Sequence, residues 1–197
     1  LYSGGIFVDE DIEYVLNGTN VFLPAKKSAI LGIFWKTSNV DNGRNFERPI
    51  GIYTYNDQRY EIPIRYAYID EKLMDFGEGL DAVVKLIPSF NGNEINLVGT
   101  ALYLSPKVSK GLFARLYLLN GVFGDYNEIE LAHSEDDFVI NEMKNNGISI
   151  GDFIFYGGFR GPIKIWKVNY PENILEREEF LEEEGDWGEL DNLEFVR

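Results

Sequence analysis

The sequence contains no cysteine and a single histidine, His133. Without cysteine, neither disulfide bonds nor thiolate metal sites can form, so packing and polar pairing must stabilise the fold. The absence of cysteine does not indicate whether the protein works in an oxidising or a reducing compartment. With one histidine, most nucleophilic triads lack their general base, and the glycine-flanked serine of a hydrolase elbow is missing too. Hydrolase chemistry of that kind is therefore not expected.

Basic residues are also scarce, since 18 Lys and Arg face 33 Asp and Glu, which gives a formal net charge of −15. Binding to nucleic acid needs clustered Lys and Arg, so we expect no nucleic acid partner. Ten of the acids lie in residues 176–197 beside only two arginines. The rest of the chain is therefore only mildly acidic, and the acidic tail, residues 171–197, is predicted to be helical with a solvated face.

Long apolar stretches are missing as well. No run of about 18 apolar residues occurs, so no segment is predicted to span a bilayer. The chain begins at Leu1 rather than at methionine, which suggests a piece of a longer protein. Contact with a membrane is therefore expected only through N-terminal segments that precede this piece.

The sequence does contain many short strand patterns and one helix pattern. Residues 29–35, 49–70 and 80–104 are predicted to form strands, the last two ranges as hairpins. One long core helix is predicted to follow Ser105, which suits an N-cap, and Pro106, which suits a first turn. Its buried face is predicted at Val108, Leu112, Leu116 and Leu119. The pattern is typical of a strand-rich α+β domain over residues 1–170, followed by the tail at 171–197.

Several polar or aromatic groups are candidates for a functional site, but each is better explained by a structural role. His133 lies in a polar neighbourhood and is predicted to be a surface residue. Adjacent acids such as Glu10-Asp11 are predicted to be solvated, because they lack the spacing of a calcium loop. The glycine-rich residues 157–161 predict a tight turn rather than a phosphate loop. The aromatic residues of the strands are predicted to be mostly core, with a sugar-stacking platform as the alternative.

Four segments carry a resemblance to a known family. They are IRYAYIDEKLMDFGEGLDAVVKLIP, GLFARLYLLNG, YNEIELAHSE and IKIWKVN. In order and character they resemble the soluble C-terminal region of oligosaccharyltransferase catalytic subunits, archaeal type. These are membrane enzymes that transfer a lipid-linked glycan to asparagine in Asn-x-Ser/Thr acceptors. The resemblance covers about half of the chain.

The resemblance implies an extracytoplasmic domain on the outer face of the cell membrane that supports protein N-glycosylation. Its implied partners are the acceptor polypeptide and the lipid-linked oligosaccharide, both bound through the parent protein. It implies no cofactor in this piece and a divalent metal, Mn or Mg, in the full-length enzyme. This piece alone is expected to be inactive, with no catalytic or metal-binding residue of its own.

Two features depart from the family pattern. The Trp-Trp-Asp-Tyr-Gly motif, which binds the acceptor Ser or Thr in the family, does not occur in this chain. The family places a lysine three residues after an aspartate on a helix, whereas Asp81 and Lys85 are four apart in a strand-like run. By resemblance, only Lys85 is carried over as an acceptor-peptide pocket residue. The alternative function is a non-catalytic carbohydrate- or protein-binding module of a surface protein, with aromatic residues as its contact surface.

Overall fold

The computed structural model describes residues 2–7, 10–25, 27–40, 43–69, 71–90, 95–123 and 128–170. Their fold is strand-rich α+β, as predicted. The helices are α1 (Pro106–Lys110), a π-helix (Ala114–Leu118) and α2 (Phe138–Asn145). The strands are β1 (Tyr2–Phe7), β2 (Ile12–Leu16), β3 (Thr19–Leu23), β4 (Ala29–Phe34), β5 (Thr37–Val40), β6 (Gly43–Phe46), β7 (Ile50–Tyr55), β8 (Gln58–Ile69), β9 (Lys72–Asp75), β10 (Leu80–Phe90), β11 (Ile95–Leu104), β12 (Ile129–Glu135), β13 (Ile154–Phe155), β14 (Phe159–Arg160) and β15 (Ile163–Val168).

A nine-stranded mixed sheet organises the described residues. Its path is β1-β4-β7-β8-β10-β13-β14, with β9 added to β8 and β11 added to β10. Most neighbours are antiparallel, but β10 runs parallel to both β8 and β13. Strand β10 therefore lies inside the sheet with partners on both sides, which explains why most of its residues are apolar.

The two predicted hairpins are confirmed. Strands β7 and β8 pair from Ile50↔Pro63 to Tyr55↔Gln58, around Asn56 and Asp57. Both turn residues have positive φ, 50° and 61°, as a two-residue hairpin turn with the right twist requires. Strands β10 and β11 form the second hairpin. Because these strands were predicted from alternation and turn residues, local sequence decides this part of the fold.

The sheet has two core layers because alternate residues of β10 point to opposite faces. Ala82 and Val84 lie in a cluster with Ile62, Ile64 and Tyr53. On the other face, Val83 and Ile87 pack against the π-helix and Phe153. Lys85 is two residues from both Val83 and Ile87 along the strand, so its side chain lies on the same face of the sheet and projects toward the π-helix.

The prediction of one long helix after Ser105 is wrong, because the segment is divided into α1 and the π-helix. Ser105 does cap α1, where its Oγ accepts from the Val108 N–H at 3.2 Å. The helix ends at Gly111, which adopts extended angles of φ −65° and ψ 145°. Glycine weakens a helix interior by about 1 kcal/mol relative to alanine. The buried face is also displaced: Leu116 and Leu119 are buried as predicted, but Val108 and Leu112 are 41% and 56% exposed.

The remaining C-terminal strands form a separate two-stranded sheet, in which β12 and β15 pair antiparallel from Ile129↔Val168 to Glu135↔Ile163. Among the described residues, no helix is long and apolar enough to cross a membrane. The predicted helical tail, residues 171–197, lies outside the described residues.

Candidate functional site

Lys85 occupies the middle of β10 and is only 5% exposed. Its neighbour on β8 is Tyr68, and on β11 it is Leu102. Burial of a charged group costs free energy unless polar partners replace its water. The contacts of the ammonium therefore decide what this residue does.

The Lys85 ammonium is held by one carbonyl and two aromatic rings. Its Nζ donates to the Leu118 carbonyl oxygen at 2.5 Å. It also lies 3.8 Å from the ring centre of Phe153 and 4.8 Å from that of Tyr68. Leu118 is the last residue of the π-helix, where carbonyls lack helical partners, so a cation is favourable there.

A second lysine enters the same place from β15. The Lys164 side chain is 3% exposed, and its Nζ lies 3.3 Å from Oδ2 of Asp152. It donates to Oδ1 of Asn120 at 2.5 Å and to the Tyr117 carbonyl oxygen at 3.3 Å. Two lysines thus donate to the successive carbonyls of residues 117 and 118. We refer to Lys85, Lys164, Asp152, Asn120 and Tyr68 as the lysine cluster.

The positive charge of Lys164 affects the protonation of Lys85. Burial, followed by the positive charge of Lys164, lowers the pKa of Lys85 from 10.5 to about 7, while Asp152 and Glu71 oppose that shift. Burial likewise raises the pKa of the Tyr68 hydroxyl to about 12, against the effect of its hydrogen bond with Asn120. Near neutral pH the cluster therefore holds a lysine that is partly uncharged and a tyrosine that is protonated.

A small cleft reaches the cluster from the surface. Its volume is about 30 Å³, and Lys85, Tyr68, Asn120 and Asp152 contribute to its walls together with Glu71 and Gly151. That is room for about two water molecules. An amino-acid side chain does not fit in it without rearrangement.

Stacked aromatic rings form the floor beneath the cluster. Tyr117 contacts Phe153 edge-on at 5.4 Å between ring centres, and Phe153 stacks on Phe159 at 5.4 Å. Gly161 lies directly against them: a Cβ at this position would be 2.5 Å from Cε1 of Phe153 and 2.9 Å from Oη of Tyr117. Glycine is therefore required here for close packing rather than for its backbone angles.

The structure separates Lys85 from Asp81, the residue compared with the family's aspartate. Both are on β10 and share a face, but four residues along a strand correspond to about 13 Å. Asp81 lies instead 3.9 Å from Arg65 and 3.8 Å from Lys110 at the surface. The two residues therefore do not form one site.

The other polar candidates have structural partners or face solvent. His133 is exposed on β12, 3.8 Å from Glu135, as predicted for a surface residue. Asp137 caps α2 through the Val139 N–H at 2.9 Å. The predicted turn at residues 157–161 is present, with positive φ at Gly157 and Gly158. Within the described ranges, no group of three or more His, Asp or Glu side chains could hold a metal ion.

Sequence reasoning missed Lys164, Asp152 and Asn120. In β15 the isoleucines at 163 and 165 are 63% and 55% exposed, while the side chain of Lys164 between them is only 3% exposed. This is the reverse of the usual alternation, in which apolar residues face the core. No signal in the sequence identifies such a lysine, because its burial depends on carbonyls and a carboxylate from distant elements.

Comparison with known proteins does not indicate a function for this site. No family model, no curated protein and no solved structure matches the chain. The interpretation therefore depends on the site itself and on the resemblance described from the sequence.

A larger, open cleft lies at the β2–β3 hairpin, far along the chain from the lysine cluster. Its volume is about 830 Å³, and Glu13, Tyr14, Asn20 and Glu78 are among its lining residues. The lining combines carboxylates, an amide and one aromatic ring. Val15 and Val21 also line the cleft, so its walls are of mixed polarity.

Proposed function

We propose that this chain is an extracytoplasmic domain of a membrane oligosaccharyltransferase-like protein, where it supports binding of the acceptor polypeptide and performs no chemistry itself. A glycan transferred from a lipid must be positioned by the membrane part of such an enzyme, while a separate domain holds the peptide in register.

One observation supports this proposal most. Three of the segments that carry the resemblance meet at the lysine cluster: β10 supplies Lys85, the helix pattern supplies Leu118 and Asn120, and β15 supplies Lys164. Segments that are distant in sequence but adjacent in space form one structural unit. One unit built from three of these segments is what the resemblance predicts.

In this proposal Lys85 is a positioning residue. Its burial and the small cleft leave no room for an acceptor side chain. Its hydrogen bond fixes the end of the π-helix, and so the following turn, where Asn120 and Gly121 have φ of 50° and 75°. Asn120 and Val122 are exposed. This turn is the surface that we expect a peptide to contact.

A divalent metal belongs to the parent enzyme in this proposal, as the resemblance implies. The described residues do not fit a metal site, because Asp152 and Glu71 line the cleft together with Lys85, and Asp152 is already paired with Lys164. No step at this site is therefore assigned to a metal.

The test uses the complete gene product in detergent or membranes and a labelled Asn-x-Thr peptide, with a Gln-x-Thr peptide as the control ligand. Lys85→Met should weaken binding of the Asn-x-Thr peptide about tenfold, or ~1.4 kcal/mol, whereas Lys72→Met, at an exposed site on β9, should not. Equal affinity for both peptides would contradict the proposed function. Unchanged affinity in Lys85→Met alone would contradict only the role of Lys85.

The sequence upstream of Leu1 provides a second check. Several membrane-spanning segments, paired acids in their loops and a Trp-Trp-Asp motif are expected there. A secretory signal followed directly by this chain would contradict the proposal.

The alternative is a non-catalytic binding module, and the 830 Å³ cleft at the β2–β3 hairpin favours it. Tyr14 lines this cleft together with Glu13 and Asn20, while its side chain also packs against the core. Glycan-array binding that is lost in Tyr14→Ala but kept in Tyr60→Ala would support this function. If the chain binds no glycan, a carbohydrate-binding function is excluded.

A further inference from the structure

The environment of Lys85 favours an uncharged amine. The side chain is only 5% exposed, and this loss of water favours the neutral form, against the two aromatic rings and the carbonyl at Nζ, which favour the cation. Asp152, the carboxylate of the lysine cluster, also lines the cleft and pairs with Lys164. Lys164 also adds a positive charge near Lys85. A lysine that is desolvated and next to another cation is activated as a nucleophile, because only the neutral amine has a free lone pair.

The cleft limits what can reach this amine. Its volume of about 30 Å³ has room for about two water-sized groups, so only very small molecules can enter it. The surrounding donors favour an adduct with negative charge: the Lys164 ammonium, the Asn120 amide and the Tyr68 hydroxyl, with Asn120 Nδ2 3.3 Å from Tyr68 Oη. Glu71 also faces the cleft but is exposed, so solvent screens its charge.

We propose that the ε-amine of Lys85 reversibly binds carbon dioxide as a carbamate. The Nζ lone pair attacks the carbon of CO₂, an N–C bond forms, and one C=O electron pair moves onto oxygen. The nitrogen then releases one proton to solvent. The balance is R–NH₂ + CO₂ → R–NH–COO⁻ + H⁺, so no oxidant or further reactant is needed.

The product retains the contacts that hold the amine. A carbamate nitrogen keeps one N–H, which continues to donate to the Leu118 carbonyl. Its carboxylate is placed near the Lys164 ammonium, which exchanges part of its interaction with Asp152 for the new anion. Charge-assisted hydrogen bonds of this type are about twice as strong as neutral ones.

Protonation at neutral pH supports the same assignment. With its pKa lowered to about 7, about half of Lys85 is neutral at pH 7. An ordinary lysine is neutral there in a fraction about a thousandfold smaller. Lys85 should therefore form the carbamate far more readily than the exposed lysines, and this inference does not depend on the proposed function.

The decisive experiment uses the unmodified chain in ¹³C-bicarbonate. Carbamates are trapped by alkylation with a trialkyloxonium salt, and peptides are analysed by mass spectrometry. The labelled adduct is expected on Lys85 at an occupancy at least about tenfold above any other lysine side chain. The N-terminal amine, which also ionises near neutral pH, is the internal positive control. An adduct at the N-terminus without one at Lys85 would refute the proposal.

Matched variants test the role of the neighbouring cation. Lys164→Met should lower the Lys85 adduct several-fold, because it removes the counter-charge of the carbamate and a charge that favours the neutral amine. Lys167→Met changes an exposed residue of the same strand and should leave the adduct unchanged. Equal adduct in both variants, with folding confirmed by circular dichroism, would exclude Lys164 as the stabilising group.

Discussion

The buried Lys85 makes the stability of this domain depend on pH in a direction that can be worked out. In the folded protein burial lowers its pKa to about 7, whereas the unfolded chain titrates near 10.5. Between these values the unfolded state binds one proton more than the folded state, so stability rises with pH. Below about pH 7 the residue is charged in both states, and its contribution to the pH dependence disappears.

The expected size follows from the linkage relation. Each pH unit in this window changes the free energy of unfolding by ~1.4 kcal/mol. From pH 7 to pH 10 the increase is about 4 kcal/mol. Solvent screening should reduce this free energy little, because Lys85 is only 5% exposed.

The assay is urea unfolding at several pH values, compared with Lys85→Met, in which the titrating group is absent. The wild-type protein should gain stability relative to the variant by ~1.4 kcal/mol per pH unit above pH 7. Lys72→Met, at an exposed position, is the control for loss of one positive charge. A difference between wild type and Lys85→Met that stays constant from pH 7 to pH 10 would refute the reasoning.

Three further predictions concern packing and capping. Gly161→Ala should destabilise the domain by about 1–3 kcal/mol, because its Cβ would lie 2.5 Å from Cε1 of Phe153; an unchanged urea midpoint would mean that the ring is not packed against this glycine. Asp137→Ala should cost about 1 kcal/mol, since its carboxylate caps the first turn of α2, and thermal unfolding of Asp137→Asn, which keeps an acceptor, should show a smaller loss. Leu112→Asp should change the free energy of unfolding by less than about 0.5 kcal/mol, because Leu112 is 56% exposed, whereas Leu119→Asp, at 0% exposure, should prevent folding. Similar circular dichroism spectra and unfolding midpoints for these two variants would contradict the observed orientation of the segment.

Local signals predict most of the strands. The hairpin at Asn56 and Asp57 and the strand that carries Lys85 follow from alternation, β-branched residues and turn residues, which act over a few neighbours. The helix after Ser105 was predicted to be longer than it is. Its spacing of leucines fits an α-helix, but the extended Gly111 and the π-helix shift the buried positions. The spacing of apolar residues in the sequence does not show that the buried positions shift in this way.

The candidate site could be predicted only in part. The family resemblance points to Lys85, and the pattern of apolar residues around it predicts that it lies on a strand. Its partners come from residues that are distant in sequence: Leu118 is 33 positions away along the chain, and Lys164 belongs to a different sheet. Contacts of this range depend on the tertiary fold, so no local pattern contains them.

The parallel pairing of β8 with β10 has a consequence for the order of folding. The β7–β8 and β10–β11 hairpins contain mainly local contacts, which form on the microsecond timescale. The pairing of Tyr68 with Lys85 joins the two hairpins across a parallel interface, and such non-local pairing is slow because chain entropy must be lost first. The amine of Lys85 is therefore expected to keep its water until the hairpins and the π-helix meet, and to lose it in the last and slowest step of assembly.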